Sequence, residues 1–324
     1  MHFRHWHPEF FQGGRKKHRY FEGYYAKHVT RDLSESWSFI FALSLGEDRA
    51  KASSIAQVIE GSTGRTWFYE GEAEDFEASP SRFHVRLGKT LLSYEGLSLD
   101  LDLGGQSFKG EIGYTSPTRF PLRLLSPGVM GPYSFLPFME CCHGLVSLDH
   151  ALTGGFSLGG RRIDFEGGRG YLEKDWGSSM PEAWIWTQSN NFAEPGDSFM
   201  FSLATIPWLG SSFPGFLCVA SLGGRLVREA SYTGARIEGL VVEEARVKLS
   251  IVNGQDRYEI DIIRSLTGNL KAPVRGSMSR EITECVDALL RLRWTRRGRL
   301  VFEGEAPKAG LEIAGDSATL VPRN

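Results

Sequence analysis

Residues 170–177 read Gly-Tyr-Leu-Glu-Lys-Asp-Trp-Gly, and residues 184–192 read Trp-Ile-Trp-Thr-Gln-Ser-Asn-Asn-Phe. On an extended chain, side chains alternate between faces. Tyr171, Glu173 and Asp175 then share one side of a strand, with Trp176 next to them in sequence. Trp184, Trp186, Gln188 and Asn190 share one side of the next. Two carboxyls and two amides beside two indoles and a phenol are costly to bury in a purely structural sheet unless paired. They suit a ligand pocket. A carboxyl in an aromatic setting has its pKa raised, so it can keep a proton near neutrality and donate it. The plainer reading is a surface strand with Lys174 as ion-pair partner, and Trp184 and Trp186 as core. Gln188 and Asn190 fit that reading less well, because buried amides need partners for both NH2 and C=O.

Three further groups carry chemistry. Glu140, His143 and His150 lie among apolar residues and form either an acid–base pair or a hydrogen-bonded structural pair. Tyr20, Glu22 and Tyr24 share a face if extended, again setting an acid beside phenols. His5 and His7 share a face, but no third ligand accompanies them, so no metal is expected. The chain has no GxSxG elbow, phosphate loop, dinucleotide fingerprint or HExxH motif. Its glycine-rich passages read as turns.

The elements that must position these residues are strands. Aromatics make up 12% of the 324 residues and there are 38 glycines, a mix that favours short strands joined by turns. Lys and Arg total 37 against 39 acids, for a net charge of −2. That balance offers no electrostatic case for nucleic acid or an anionic membrane. Cys141, Cys142, Cys218 and Cys285 contain no CxxC pair, so neither zinc nor a disulfide framework is indicated. A reduced, cytoplasmic setting is expected. The N-terminus lacks the apolar core of a signal peptide. Residues 198–224 carry no charge, but Pro207, Gly210, Pro214 and Gly215 break the run. It reads as two buried strands, 199–206 and 216–222, of a soluble protein.

Strands are expected at 37–45, 54–59, 66–70, 83–87, 90–94 and 97–103, the last with its leucines inward and a hairpin partner at 108–114. Five prolines in 116–137 rule out regular structure and predict a long ordered loop or lid. Gly154-Gly155, Gly159-Gly160 and Gly167-Gly168 mark the expected domain boundary. A hairpin is expected around Asn253-Gly254, and another around 296–299. The 280–288 segment, with Ser279 as N-cap and Ile282, Cys285, Val286 and Leu289 on one side, predicts a helix.

Several of these blocks, in order, resemble the tocopherol cyclase family. They are Phe21-Glu22-Gly23-Tyr24-Tyr25 with 37–45, Gly131-Pro132-Tyr133 through Glu140, His143-Gly144, and above all 170–177 with 184–192. Residues 279–282 and 309–313 are also similar. The Tyr-x-Glu-Lys-x-Trp-Gly core is shared in appearance with carotenoid hydratase and related two-domain lipocalin-like proteins. The resemblance implies an all-β fold of two lipocalin-like antiparallel barrels, taken as 1–158 and 159–324, each barrel able to enclose a small ligand. It also implies closure of a prenylated hydroquinone to a chromanol without a cofactor. Protonating the prenyl alkene gives a tertiary cation that the phenol oxygen traps, which calls for a held proton, aromatic faces and exclusion of water. On that chemistry Asp175 or Glu173 is the donor, with Glu140–His143 in reserve. Tyr171, Trp184 and Trp186 form the wall, and Gln188 and Asn190 hold the quinol. Glu22, Tyr24 and Trp176 are further binding candidates. The expected partner is a hydrophobic small molecule, with passing membrane-surface contact and no nucleic acid. A non-catalytic isoprenoid carrier and a hydratase are the alternatives.

Overall fold

The protein is described by a computed structural model covering residues 6–48, 51–124, 126–136, 139–208 and 210–321. It is nearly all antiparallel β-structure, arranged as two lipocalin-like barrels. Unit 1 comprises Met1–Glu60, Arg65–Met180 and Asn269–Glu281; unit 2 comprises Gly61–Gly64, Pro181–Gly268 and Ile282–Asn324.

In unit 1 the strands are β1 (Tyr20–Val29), β2 (Ser36–Leu45), β3 (Ala52–Glu60), β4 (Arg65–Glu72), β5 (Phe76–Ala78), β6 (His84–Leu87), β7 (Thr90–Ser93), β8 (Gly96–Leu103), β9 (Gln106–Thr115), β10 (Cys141–Leu158), β11 (Arg161–Asp164) and β12 (Arg169–Gly177). They form a 12-stranded sheet in the order β4-β3-β2-β1-β12-β10-β9-β8-β7-β6-β5, with β11 on β10. Placing β12 between β1 and β10 brings three distant sequence blocks side by side. On β8, Leu97, Leu99, Leu101 and Leu103 turn into the core, where Phe39, Phe108, Phe156 and Leu172 also pack. Burying each such side chain stabilises the fold by roughly 1.5–3 kcal/mol.

Unit 2 holds β13 (Trp184–Ser189), β14 (Ser198–Trp208), β15 (Ser211–Leu222), β16 (Arg225–Ala230), β17 (Arg236–Glu243), β18 (Arg246–Asn253) and β19 (Asp256–Ile263). Its sheet continues through β20 (Gly268–Val274), β21 (Ser277–Arg296) and β22 (Arg299–Ala314). The order is β16-β15-β14-β13-β22-β21-β19-β18-β17, with β20 on β21. The β20–β21 turn region nevertheless belongs to unit 1. There Gln57 bonds both backbone groups of Lys271, and Ser44 donates to the Gly276 carbonyl.

Two sequence expectations change. The break between units falls after Met180, because β10 runs through Gly154-Gly155 to Leu158, and β11 and β12, which follow the other glycine pairs, belong to the same first sheet. The glycines there permit close strand approach. At Gly154 φ is +73°, and a Cβ would run into the Glu111 carbonyl; at Gly110 one would meet the Gly155 carbonyl. The 280–288 segment is strand β21, with no helix. The bulge after Cys285 inserts an extra residue in β21, and the one after Ala288 inserts an extra residue in its partner β22. The first of these breaks the two-residue alternation of β21 and leaves its apolar positions spaced like a helical face.

The uncharged 198–224 run forms the β14–β15 hairpin, and the hairpins near Asn253-Gly254 and 296–299 form as expected. The described residues of 116–140 form a loop that contains a short 3-10 turn, Gly131–Phe135. No helix among the described residues is long and apolar enough to cross a membrane.

Candidate functional site

β12 carries a different polar cluster on each face. Its register sets Tyr171 opposite Lys27, Glu173 opposite Tyr25 and Asp175 opposite Gly23 on β1. On β10, Glu173 faces Leu145 and Asp175 faces His143. Leu172 joins the core, so Tyr171, Glu173, Asp175 and His143 occupy the face turned away from it.

His143 is the hub of that face. Its Nδ1 lies 2.8 Å from Asp175 Oδ1, and its Nε2 lies 3.3 Å from Glu173 Oε2. The longer contact falls outside strict hydrogen-bond geometry, yet at that distance the charges still interact strongly. Tyr171 donates its hydroxyl to the same Glu173 oxygen. The side chains of His143 and Glu173 are 9% and 5% exposed, whereas that of Asp175 is 27% exposed. Burial opposes charge on His143, but two flanking carboxylates outweigh it and hold the imidazole well above its ordinary range. Burial, reinforced by Glu173, pushes the Tyr171 hydroxyl well up. At the edge, Cys141 Sγ lies 4.0 Å from Asp175 and 3.8 Å from Met180 Sδ. Burial and Asp175 keep it a thiol.

The donor atoms of His143, Glu173 and Asp175 lie within 4.8 Å of one another, a spacing that could also hold a cation. The two imidazole nitrogens, however, turn to different carboxylates. That arrangement is suited to sharing protons.

The core-side face is closed and saturated. Glu22 accepts from the backbone N–H of Gln12 at 2.9 Å and Gly13 at 3.0 Å, from Tyr20 at 2.5 Å and Tyr24 at 2.9 Å, and from Lys174. Lys174 also donates to the Phe10 carbonyl at 2.8 Å, and lies over the rings of Tyr24 and Trp176. Burial lowers its pKa, while Glu22 opposes that shift. Both members of this ion pair are fully buried. Glu22, Tyr24 and Trp176 therefore sit on the face opposite His143, in a packed ionic cluster.

Glu140 is exposed, and its backbone carbonyl takes the N–H groups of Ser178 and Ser179. It is Asp175 and Glu173, not Glu140, that flank His143. His150 lies deeper, bonded to Ser147 and packed on Tyr114. His5 lies outside the described residues, and His7 pairs with Glu9.

Trp184, Trp186, Gln188 and Asn190 are buried on one face of β13, as alternation requires; Ile185 on the other face enters the core of unit 2. Trp184 donates to Glu312 at 2.7 Å, and the Gln188 amide donates to Asn190 at 3.3 Å. The amides are thus partnered locally.

Sequence reasoning missed Lys174 as the partner of Glu22, and placed His143 with the wrong acid. Strand parity carried the first signal: Lys174 lies on the side opposite Glu173. The second needed the β10–β12 register, which no local pattern encodes.

The fold and the cluster define a two-barrel antiparallel β-protein with a buried imidazole held between two carboxylates. The tocopherol cyclase-like family model matches residues 125–315, more than half of the chain, and the chain belongs to that family. A protein of Oryza sativa subsp. japonica named "Probable tocopherol cyclase, chloroplastic" is 25% identical over 194 residues, 55% of this chain and 40% of that one. The chain thus matches less than half of that relative's length. Among solved structures, kievitone hydratase from Nectria haematococca gives a TM-score of 0.54 at 9% identity, covering 91% of this chain and 89% of the other. CghA with Sch210972 gives 0.54 at 11% identity, covering 92% and 89%. At these identities the likeness speaks for the fold alone.

Proposed function

We propose that this chain is an acid-catalysed cyclase that closes a prenylated hydroquinone to a chromanol. One observation carries the reading: a buried imidazole hydrogen-bonded to Asp175 at 2.8 Å, with Glu173 3.3 Å from its other nitrogen and only Asp175 substantially open to a ligand. Family membership supports the same chemistry.

In this mechanism Asp175, loaded through its hydrogen bond from His143, gives its proton to the less substituted carbon of the prenyl alkene. The alkene π electrons become the new C–H bond and leave a tertiary cation. The neighbouring phenol oxygen supplies a lone pair to form the C–O bond, and its proton passes back to the Asp175 carboxylate. Protons and electrons balance, as an isomerisation requires. Tyr171 and Glu173 hold His143 from the far side and keep its charge in place. The faces of Tyr25 and Tyr171, whose ring centroids lie 6.5 Å apart, add π density near the passing cation.

The test is incubation with a methyl-phytyl hydroquinone and analysis for chromanol. Wild type forms it. Asp175→Asn loses roughly 100-fold or more of the rate, the scale of a general acid, while still binding the quinol. Undiminished turnover in Asp175→Asn overturns the mechanism. A second reading is favoured by the 27% exposure of Asp175, which leaves room for water. Were water to capture the cation, the product would be a tertiary alcohol, and the enzyme a hydratase. A quinol bound and returned unaltered would identify a carrier.

A further inference from the structure

We propose that residues 119–124 and 126–136 of unit 1, together with Trp6, form a docking surface for an anionic phospholipid bilayer. This goes beyond the cyclase reading and does not depend on it.

The loop presents three large apolar side chains to water. Leu122 is 43% exposed, Leu124 75% and Phe135 44%. Leu124 stands at the tip of a tight turn closed by paired backbone bonds between Arg123 and Ser126. Trp6 ties the tip to the second half of the loop. Its indole N–H donates to the Arg123 carbonyl at 3.3 Å, and its ring lies 5.8 Å from that of Phe135. The base is anchored, since Thr118 exchanges backbone bonds with Asp149 and Leu148 on β10. A fixed stalk with a Leu tip and aromatic flanks is shaped to insert into the headgroup layer.

Local charge selects the occupant. Between Glu111 and Glu140 the chain has no acid, and it carries Arg119 and Arg123. Arg119 is exposed and braced over the Tyr94 ring at 4.0 Å; Arg123 is exposed beside the tip. The net charge of −2 over the whole chain therefore hides a segment without negative charge. Basic residues bordering exposed apolar side chains are drawn to anionic lipid headgroups.

The experiment is sedimentation of the full chain with phosphatidylcholine vesicles, with and without phosphatidylglycerol, in the absence of any quinol. Wild type sediments with the anionic vesicles and is largely released by high salt. The L122S/L124S variant binds at least tenfold more weakly, with an unchanged circular dichroism spectrum and melting midpoint. R119Q/R123Q loses the preference for phosphatidylglycerol. Equal sedimentation of wild type and L122S/L124S overturns the proposal, as does wild type that stays in the supernatant. A concentration-dependent dimer that L122S/L124S abolishes would also overturn it, by assigning the face to a second copy. Because no substrate is present, failure here leaves the cyclase reading untouched, and failure of the chromanol assay leaves this one standing.

Discussion

His143 lies on β10, Glu173 and Asp175 on β12, and only the register between the strands makes them one group. The alternation Tyr171, Glu173, Asp175 was legible in the sequence, because it needs nothing beyond an extended chain. The imidazole that completes the group was not, since a strand's pattern says which side chains share a side and not which strand lies next to it. The held proton has a measurable consequence. An unfolded histidine titrates near 6.5, and burial between two carboxylates holds folded His143 well above that. Its contribution to stability is then full below about pH 6.5 and is lost as pH rises through the folded value. The melting midpoint of wild type should exceed that of His143→Gln at mildly acid pH, and the gap should shrink on the alkaline side. A gap of constant size would mean that folding does not shift the titration of the ring.

At the scale of elements, β1 and β12 are joined twice, by backbone bonds and by the Glu22–Lys174 pair on the core side. Sequence parity placed Glu22 with Tyr20 and Tyr24 correctly. It could not show that every carboxylate oxygen would be engaged, because the N-terminal segment carrying Gln12 and Gly13 is brought there only by tertiary folding. A buried ion pair contributes through the penalty of breaking it more than through its own attraction. Lys174→Met should therefore cost about 3–5 kcal/mol by leaving Glu22 uncompensated, read by urea unfolding. The double variant Glu22→Leu with Lys174→Met should recover most of that loss. Costs that simply add would remove the coupling. The misread 280–288 segment belongs to the same scale: β-branched Ile282, Thr283 and Val286 argued for a strand, but the bulge after Cys285 disguised the period.

Across the whole molecule, the all-β class was legible from glycine spacing and alternating leucines, while the division into units was not. Turn glycines and close-approach glycines look alike until neighbouring backbones are in place. The same interior sets the acid limit of the fold. Inside unit 1, His28 Nε2 lies 2.6 Å from the Tyr114 hydroxyl, and the Tyr114 and His150 rings pack at 4.4 Å. Burial lowers His28 well below its ordinary range and His150 to about 3. Folded and unfolded chains then bind different numbers of protons below about pH 6.5, with the unfolded state binding more. Stability must fall as pH drops through that window, with a slope on the order of 1 kcal/mol per pH unit for each histidine. His143 tilts the curve the opposite way, so its loss belongs to alkaline pH and that of His28 and His150 to acid. Replacing His150 by Gln, which keeps a group able to bond Ser147, should flatten the acid limb of a plot of unfolding free energy against pH and leave the alkaline limb unchanged. If both limbs move together, the histidines are coupled through global packing, and separate burial of each ring does not set the pH profile.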